Sequence, residues 1–337
     1  MKPEIKQYTA MIGGKPLTFE TGKLAGQAGG AVTVQLGEMV LFCAATMSDE
    51  PREGIDFFPL SVDYEERLYA GGRIPGSFFR REGRPSTNAI LTARLTDRPL
   101  RPLFPKDMRN DVQVIIYSLS SDLENPIDVQ VINAASAAVT ISDIPWNGPV
   151  GAVRIGYIDG ELVVNPTYPE MENSDLDLRV AGTREAIMMV ECGANEVSEE
   201  VVSQALQLAH ESIQPIVDTL EKMAAEVGKE KRAYPSIKIA DELIEQVYNR
   251  TNTEINSILE QGLDKHSLRA AVDALRAQVN EELNPDADDQ LRKDVFTAFE
   301  KAYADVVRKR ILEEGKRPDG RAVTEIRPIW CEVDLSP

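Results

Sequence analysis

With 337 residues and 42% hydrophobic content, the chain has the material for two or three domains with buried cores. A formal charge of −18 excludes an indiscriminate nucleic-acid coat, because the average field repels phosphate; any such contact has to be focused. Three widely separated cysteines (Cys43, Cys192, Cys331) without C-x-x-C spacing speak against a disulfide framework or zinc site and for a reducing compartment. The start, Met1-Lys2-Pro3-Glu4-Ile5-Lys6, lacks the apolar core of a signal peptide. The best apolar run, Val129 to Ile141, is interrupted by Asn133 and Ser136 and is too short to cross a bilayer. The expectation is a soluble, cytoplasmic protein with no membrane partner.

Residues 8–64 read as short strands with turn punctuation, the β-rich runs being Ala31–Leu36, Met39–Thr46 and Phe57–Tyr64. A helical pattern follows from Thr87 to about Arg98, where Pro99 is expected to stop it. Val112–Leu119 is a further strand, and the Ala-rich run Asp128–Ser142 reads as a buried helix ended near Pro145. Asp159-Gly160, between Ala152–Ile158 and Glu161–Val164, is a hairpin signal, and Leu176–Val180 with Ala186–Glu191 complete the strands. Ser198, with Glu199 and Glu200 in the first turn, opens a long amphipathic helix to about Val227. This order describes an α+β domain over residues 1–232.

After Lys229-Glu230-Lys231-Arg232 the apolar residues take helical spacing. The first run is Leu243, Val247, Thr251, Ile255 and Ile258, and the second Leu268, Val272, Leu275 and Val279. Asn284-Pro285-Asp286 separates these from Leu291, Val295, Phe299, Tyr303 and Val306. Residues 233–314 therefore read as a small all-α domain; from 236 to 314, eleven Lys/Arg against seventeen Asp/Glu leave −6. Strand-like character resumes at Arg317-Pro318-Asp319-Gly320-Arg321, so 315–337 read as the truncated start of another domain.

Two histidines, His210 and His266, both in helical segments, leave little room for His-based acid–base or triad chemistry. No phosphate-loop, dinucleotide, zincin or nucleophile-elbow motif occurs, and Gly22, Gly26, Gly29 and Gly30 lack phosphate-loop spacing. Asp175 and Asp177 would share one face of a strand, an arrangement that suits magnesium but is also common on solvated strand faces.

The sharpest signal is local. From 73 to 109 there are nine Lys/Arg against three acids, so this segment is +6 while the rest of the −18 chain sums to −24. It opens with Gly72-Arg73-Ile74-Pro75-Gly76-Ser77-Phe78-Phe79-Arg80-Arg81-Glu82-Gly83-Arg84-Pro85, where glycines and prolines disfavour regular structure. Two core aromatics followed by solvated arginines would be one reading. The other is contact with single-stranded nucleic acid, since arginines fork onto phosphates and Phe rings stack on unpaired bases.

Residues 57–60 (FFPL), 72–86 (GRIPGSFFRREGRPS) and 95–104 (LTDRPLRPLF) strongly resemble bacterial polynucleotide phosphorylase. So do residues 147–152 (NGPVGA), 180–183 (VAGT), 317–321 (RPDGR) and 325–328 (EIRP), in matching order from residue 8 onward. The resemblance implies an RNase PH-like domain (ribosomal protein S5 domain 2-like), then the helical domain, then the opening of a second RNase PH-like copy. It implies an enzyme that degrades mRNA 3′-to-5′ by phosphorolysis, with magnesium as cofactor and inorganic phosphate as co-substrate. It also implies a homotrimeric ring, with RNA-decay proteins as candidate partners.

In that family the second copy carries the active site, so no catalytic or metal-binding residue is assigned here, and the expectation for this chain alone is inactivity. The active copy's paired acids and lysine fall on Met171, Asp177 and Arg179, and its phosphate-binding serines on Pro126-Ile127-Asp128. A thioether is a poor magnesium ligand. What carries over is RNA handling: Phe78 and Phe79 for stacking, and Arg80, Arg81 and Arg84 for phosphate contact. Arg98 and Arg101 are RNA contacts or, equally, braces paired with acids. Rival readings are a stand-alone RNA-binding or assembly module, and a degenerate copy with weak hydrolysis through Asp175 and Asp177.

Overall fold

The computed structural model describes residues 4–52, 54–76, 83–236, 238–286 and 288–334. They form two compact units, Met1–Ile237 and Lys238–Pro337.

The first unit starts with alternating strands that each bury one face. They are β1 (Lys6–Ile12), β2 (Lys15–Thr21), β3 (Gly30–Leu36) and β4 (Met39–Met47), with Phe19, Val34 and Leu41 fully inward. A fifth strand, β5 (Leu60–Glu65), crosses over through α1 (Thr87–Leu100) to β6 (Val112–Ser120). The sheet order is β1-β2-β3-β4-β6-β5, antiparallel except for the parallel β5–β6 pair. A second, antiparallel sheet is built from β7 (Gly151–Ile158), β8 (Glu161–Val164), β9 (Ser174–Gly182) and β10 (Ile187–Ala194), in the order β10-β9-β7-β8. Asp159 (φ 52°) and Gly160 (φ 85°) make the tight β7–β8 turn that the sequence signals.

Between the two sheets runs α2 (Asp128–Ile141), in which every residue from Val129 to Ile141 is buried. It packs on β3, β4 and β6 from one side and on β7 and β9 from the other. Two of its polar residues are matched by backbone: Asn133 accepts from the Ala152 amide (2.8 Å) and donates to its carbonyl (3.0 Å). Ser136 accepts from the Val150 amide at 2.9 Å. Gly30 permits the close approach of β3, since a Cβ there would lie 2.0 Å from the Ala138 carbonyl oxygen. A single-turn helix α3 (Tyr168–Met171), closed by a Thr167/Glu170 capping box, precedes β9. The long α4 (Glu199–Val227), capped by Ser198, lies along β1, β7 and β9.

The α+β class read from the sequence holds, with three local differences. α1 continues through Pro99 to Leu100, because the Arg101 amide reaches Asp97 O and closes the last turn past the missing proline donor. Phe57 to Pro59 precede β5 instead of opening it, and Phe58 packs on Phe104 with ring centroids 4.9 Å apart. The first unit also extends beyond residue 232. Lys231 Nζ caps the end of α2 by donating to the carbonyls of Val139 (3.2 Å), Thr140 (3.0 Å) and Ser142 (2.6 Å). Farther along, Tyr234 (3.0 Å) and Ser236 both donate to Asp107.

The second unit consists of α5 (Asp241–Glu260), α6 (Lys265–Leu283) and α7 (Asp289–Glu314) around Val247, Ile255, Val279, Val295 and Phe299. Asn284 and Pro285 break α6 from α7 as the sequence expects, and Gly315 ends α7 in the left-handed conformation (φ 66°). Residues 315–334 carry no helix or strand.

Arg250 on α5 clamps Glu282 on α6 with two hydrogen bonds, 2.8 and 2.9 Å, and hydrogen bonding from Arg250 holds the Glu282 carboxyl down at about 2. A depressed carboxyl contributes stability that is present above its ordinary value and lost as the pH falls toward its folded value. Glu282→Gln should therefore flatten the acid limb of helix melting between pH 4.5 and about 2, followed by circular dichroism. An unchanged acid limb would show that the clamp adds nothing to folding.

Candidate nucleic-acid interface

The flanks of the basic segment are anchored by local chemistry. Leu68–Gly71 forms a 3-10 turn that Gly72 ends at φ 68°, with Arg73 N donating to Leu68 O at 2.9 Å. Ser121 N donates to Ala70 O at 2.9 Å and ties this turn to the end of β6. On the far flank, Ser86 caps α1 by accepting from the Ala89 amide (3.0 Å), while its hydroxyl donates to Glu66 at 2.6 Å. The Glu66–Ser86 bond draws the two flanks together. Arg73, Ile74 and Arg84 are exposed, Ile74 at 90%. The expected stacking pair Phe78 and Phe79, with Arg80 and Arg81, lies outside the described residues.

The two remaining arginines are braces in this structure. Arg98 donates to Glu191 at 2.8 Å and to Val190 O at 3.1 Å, linking α1 to β10. Arg101 forks onto Asp97 (2.6 and 2.8 Å) and donates to the carbonyls of Phe58 and Leu60, each at 3.1 Å. The sequence left contact and bracing open for this pair; the geometry gives both a bracing role, while Arg73, Arg84, Arg94 and Lys106 are exposed.

A second polar site sits where α2 begins. A cavity of about 310 Å³ is lined by Tyr64, Asn88, Asp128, Arg154, Tyr168 and Arg179, among others. Arg154 on β7 forks onto Asp177 on β9 (2.7 and 2.8 Å), and its side chain is only 8% exposed. Arg179 bridges Asp177 (3.1 Å) and Asp128. Two carboxylates and two guanidiniums thus neutralise one another. Burial pushes the Tyr64 phenol up to about 12, and burial followed by the Asp128 charge raises Tyr168, so both remain protonated at neutral pH.

Asp175 and Asp177 do share one face of β9, but Asp175 is exposed and Asp177 is engaged by two arginines. Among the described residues no group of three or more His, Cys, Asp or Glu is placed to hold a metal ion. His210 lies on α4 with Nε2 3.2 Å from Thr183 O, and His266 stands in the first turn of α6. Sequence reasoning missed Arg154. Its signal is a lone arginine in the otherwise apolar or small strand GAVRIGYI, a buried charge that demands a partner.

Comparison with known proteins agrees with this architecture. Residues 13–145 match the model for the 3′ exoribonuclease family, domain 1, and 148–212 that for domain 2 of the same family. Residues 242–322 match the model described as polyribonucleotide nucleotidyltransferase, RNA binding domain. A polyribonucleotide nucleotidyltransferase from Halothermothrix orenii is 47% identical over 98% of this chain and 48% of its own length. One from Thermus thermophilus is 46% identical over 99% of this chain and 48% of its own. The chain thus spans about half the length of these relatives. The crystal structure of rice (Oryza sativa) Rrp46 superposes with a TM-score of 0.50 at 14% identity, covering 66% of this chain and 95% of that one, a likeness of fold alone.

Arg154→Met should lower stability by about 3 kcal/mol or more, because it leaves Asp177 and Asp128 short of counter-charge in a largely buried site. Urea unfolding measures this; a midpoint equal to that of the parent chain would mean the cluster is energetically neutral.

Proposed function

The chain belongs to the 3′ exoribonuclease family, with the helical unit of the polyribonucleotide nucleotidyltransferases, and we propose that it holds and threads single-stranded RNA for a phosphorolytic site built outside it. One observation carries this reading. In a chain of −18, the segment from 73 to 109 is +6, and the flanks of its aromatic–arginine stretch are pinned by the Glu66–Ser86 bond. A local reversal of this kind in an acidic chain offers a polyanion a focused place to bind. Phe78 and Phe79 stack on bases, while Arg80, Arg81 and Arg84 take phosphates.

The chemistry of the complete enzyme is transfer of the terminal nucleotide to inorganic phosphate. A phosphate oxygen attacks the phosphorus of the last phosphodiester in line, the bond to the 3′ oxygen breaks, and that oxygen takes up a proton as a nucleoside diphosphate leaves. This chain supplies RNA binding and contacts to a homotrimer in the cytoplasm, where RNA-decay proteins are its partners. Magnesium and the catalytic groups belong to residues outside the chain. The arginine-neutralised Asp128 and Asp177 support that division, since neither carboxylate is left to hold a cation.

The test is phosphorolysis with single-stranded RNA, magnesium and inorganic phosphate. The chain alone should release no nucleoside diphosphate yet bind RNA in a salt-sensitive way. Phe78→Ala/Phe79→Ala should weaken that binding about tenfold or more, since a stacked base is worth about 1–3 kcal/mol. Phosphate-dependent release by the chain alone would overturn the division of labour, and unchanged binding by the double variant would overturn the threading role.

A further inference from the structure

The six-stranded sheet ends on β5, which pairs with β6 and, among the described residues, with no strand on its other side. A cavity of about 620 Å³ follows this edge, and every residue of β5, Leu60–Glu65, lines it. At about 3.3 Å per residue, the six residues give the edge a length of about 20 Å. An unpaired edge of that length leaves main-chain donors and acceptors available to another extended chain.

The cavity has two unlike walls, because the strand alternates. Leu60 and Val62 lie on the face that packs toward the core, where Ala89, Ile90 and Ala93 of α1 complete an apolar wall. On the opposite face, Ser61 and Asp63 stand beside their β6 register partners Gln113 and Ile115. A strand laid along β5 would send alternate side chains to an apolar wall and a polar one.

Most charges lining the cavity are already answered: Glu65 by Arg67, Asp97 by Arg101 and Arg98 by Glu191. Asp63 is not. It accepts from Ser61 Oγ (3.2 Å) and Gln113 Nε2 (3.3 Å), and no cation pairs with it among the described residues. Arg94, on the α1 wall, is exposed and likewise has no ion pair among the described residues.

We propose that this edge takes up an extended segment of a partner protein as a further strand. Its apolar side chains lie toward α1, a lysine or arginine stands opposite Asp63, and a carboxylate reaches Arg94. The opposed free charges make the fit bipolar, and a chain of −18 draws a partner that carries basic residues. RNA has no peptide amides to continue the ladder and would bring a phosphate against Asp63. The inference concerns protein binding and does not draw on the RNA reading above.

The test uses the whole chain and two fluorescein-labelled octapeptides of one composition, with binding read by anisotropy. One is Lys-Val-Lys-Val-Thr-Val-Thr-Glu and the other a scramble that breaks the alternation. The alternating peptide should bind several-fold more tightly. N-methylation of alternate amides should abolish its binding in one set and spare it in the other, since only one set faces the edge. Asp63→Lys, at an exposed position, should lose this peptide and gain the version with glutamate in place of both lysines, its fold checked by circular dichroism. No binding, equal binding of the scramble, or tolerance of both N-methylated sets would overturn the proposal. So would displacement of the peptide by oligoadenylate, which would give the edge to RNA, or self-association lost in Asp63→Lys, which would give it to a second copy.

Discussion

The first unit depends on the burial of α2 from all sides. A helix enclosed by two sheets has no solvent face to carry its polar atoms, so its side chains must be small, apolar or individually matched. Alanines at 134, 135, 137 and 138 let the sheets close in, Gly30 removes the one Cβ that would strike the helix backbone, and Asn133 and Ser136 bond the backbone of residues 150–152. The other elements follow from that arrangement. α1 and α4 cover what the sheets leave open, and Lys231 answers the carbonyls at the end of α2 that have no helical partner.

The other end of the same helix carries its own anion. A helix N-terminus presents unpaired amides and a partial positive charge, which suits a phosphate. Here the first residue of α2 is Asp128, so the chain brings its own anion to that end. Arg154 and Arg179, cations that a phosphate would otherwise engage, are turned onto Asp128 and Asp177. One acidic residue at the helix start therefore both fills the anion position and occupies the arginines.

Much of this was legible in the sequence, for identifiable reasons. The Ala-rich run, the Asp159-Gly160 turn, the Ser198 cap and the Asn284-Pro285 break each act through local chemistry, and each stands where it was read. Pro99 misled because a proline near a helix end removes a hydrogen bond that the next turn replaces. The first unit runs to Ile237, past the boundary read at 232, because the bonds that hold residues 231–236 reach Asp107 and Val139–Ser142, far away in sequence. Arg154 was missed for a related reason: its partner Asp177 lies on a strand that pairs with its own only after an intervening hairpin.

Charge counted along a sequence also overstates what a surface offers. The segment from 73 to 109 holds nine cations, yet Arg98 and Arg101 are committed to Glu191 and Asp97, and Arg109 donates to the carbonyls of Lys106 and Met108. In the helical unit, Arg250 and Arg276 are likewise held by acids on neighbouring helices. An arginine whose fork is filled keeps its charge but not its donors, and donors are what grip a phosphate. In an acidic chain, then, what can grip a polyanion depends less on how many arginines there are than on which keep an open fork, and in this segment Arg73, Arg84 and Arg94 are exposed. Committed arginines build the walls, and the few open ones decide where a polyanion can stay.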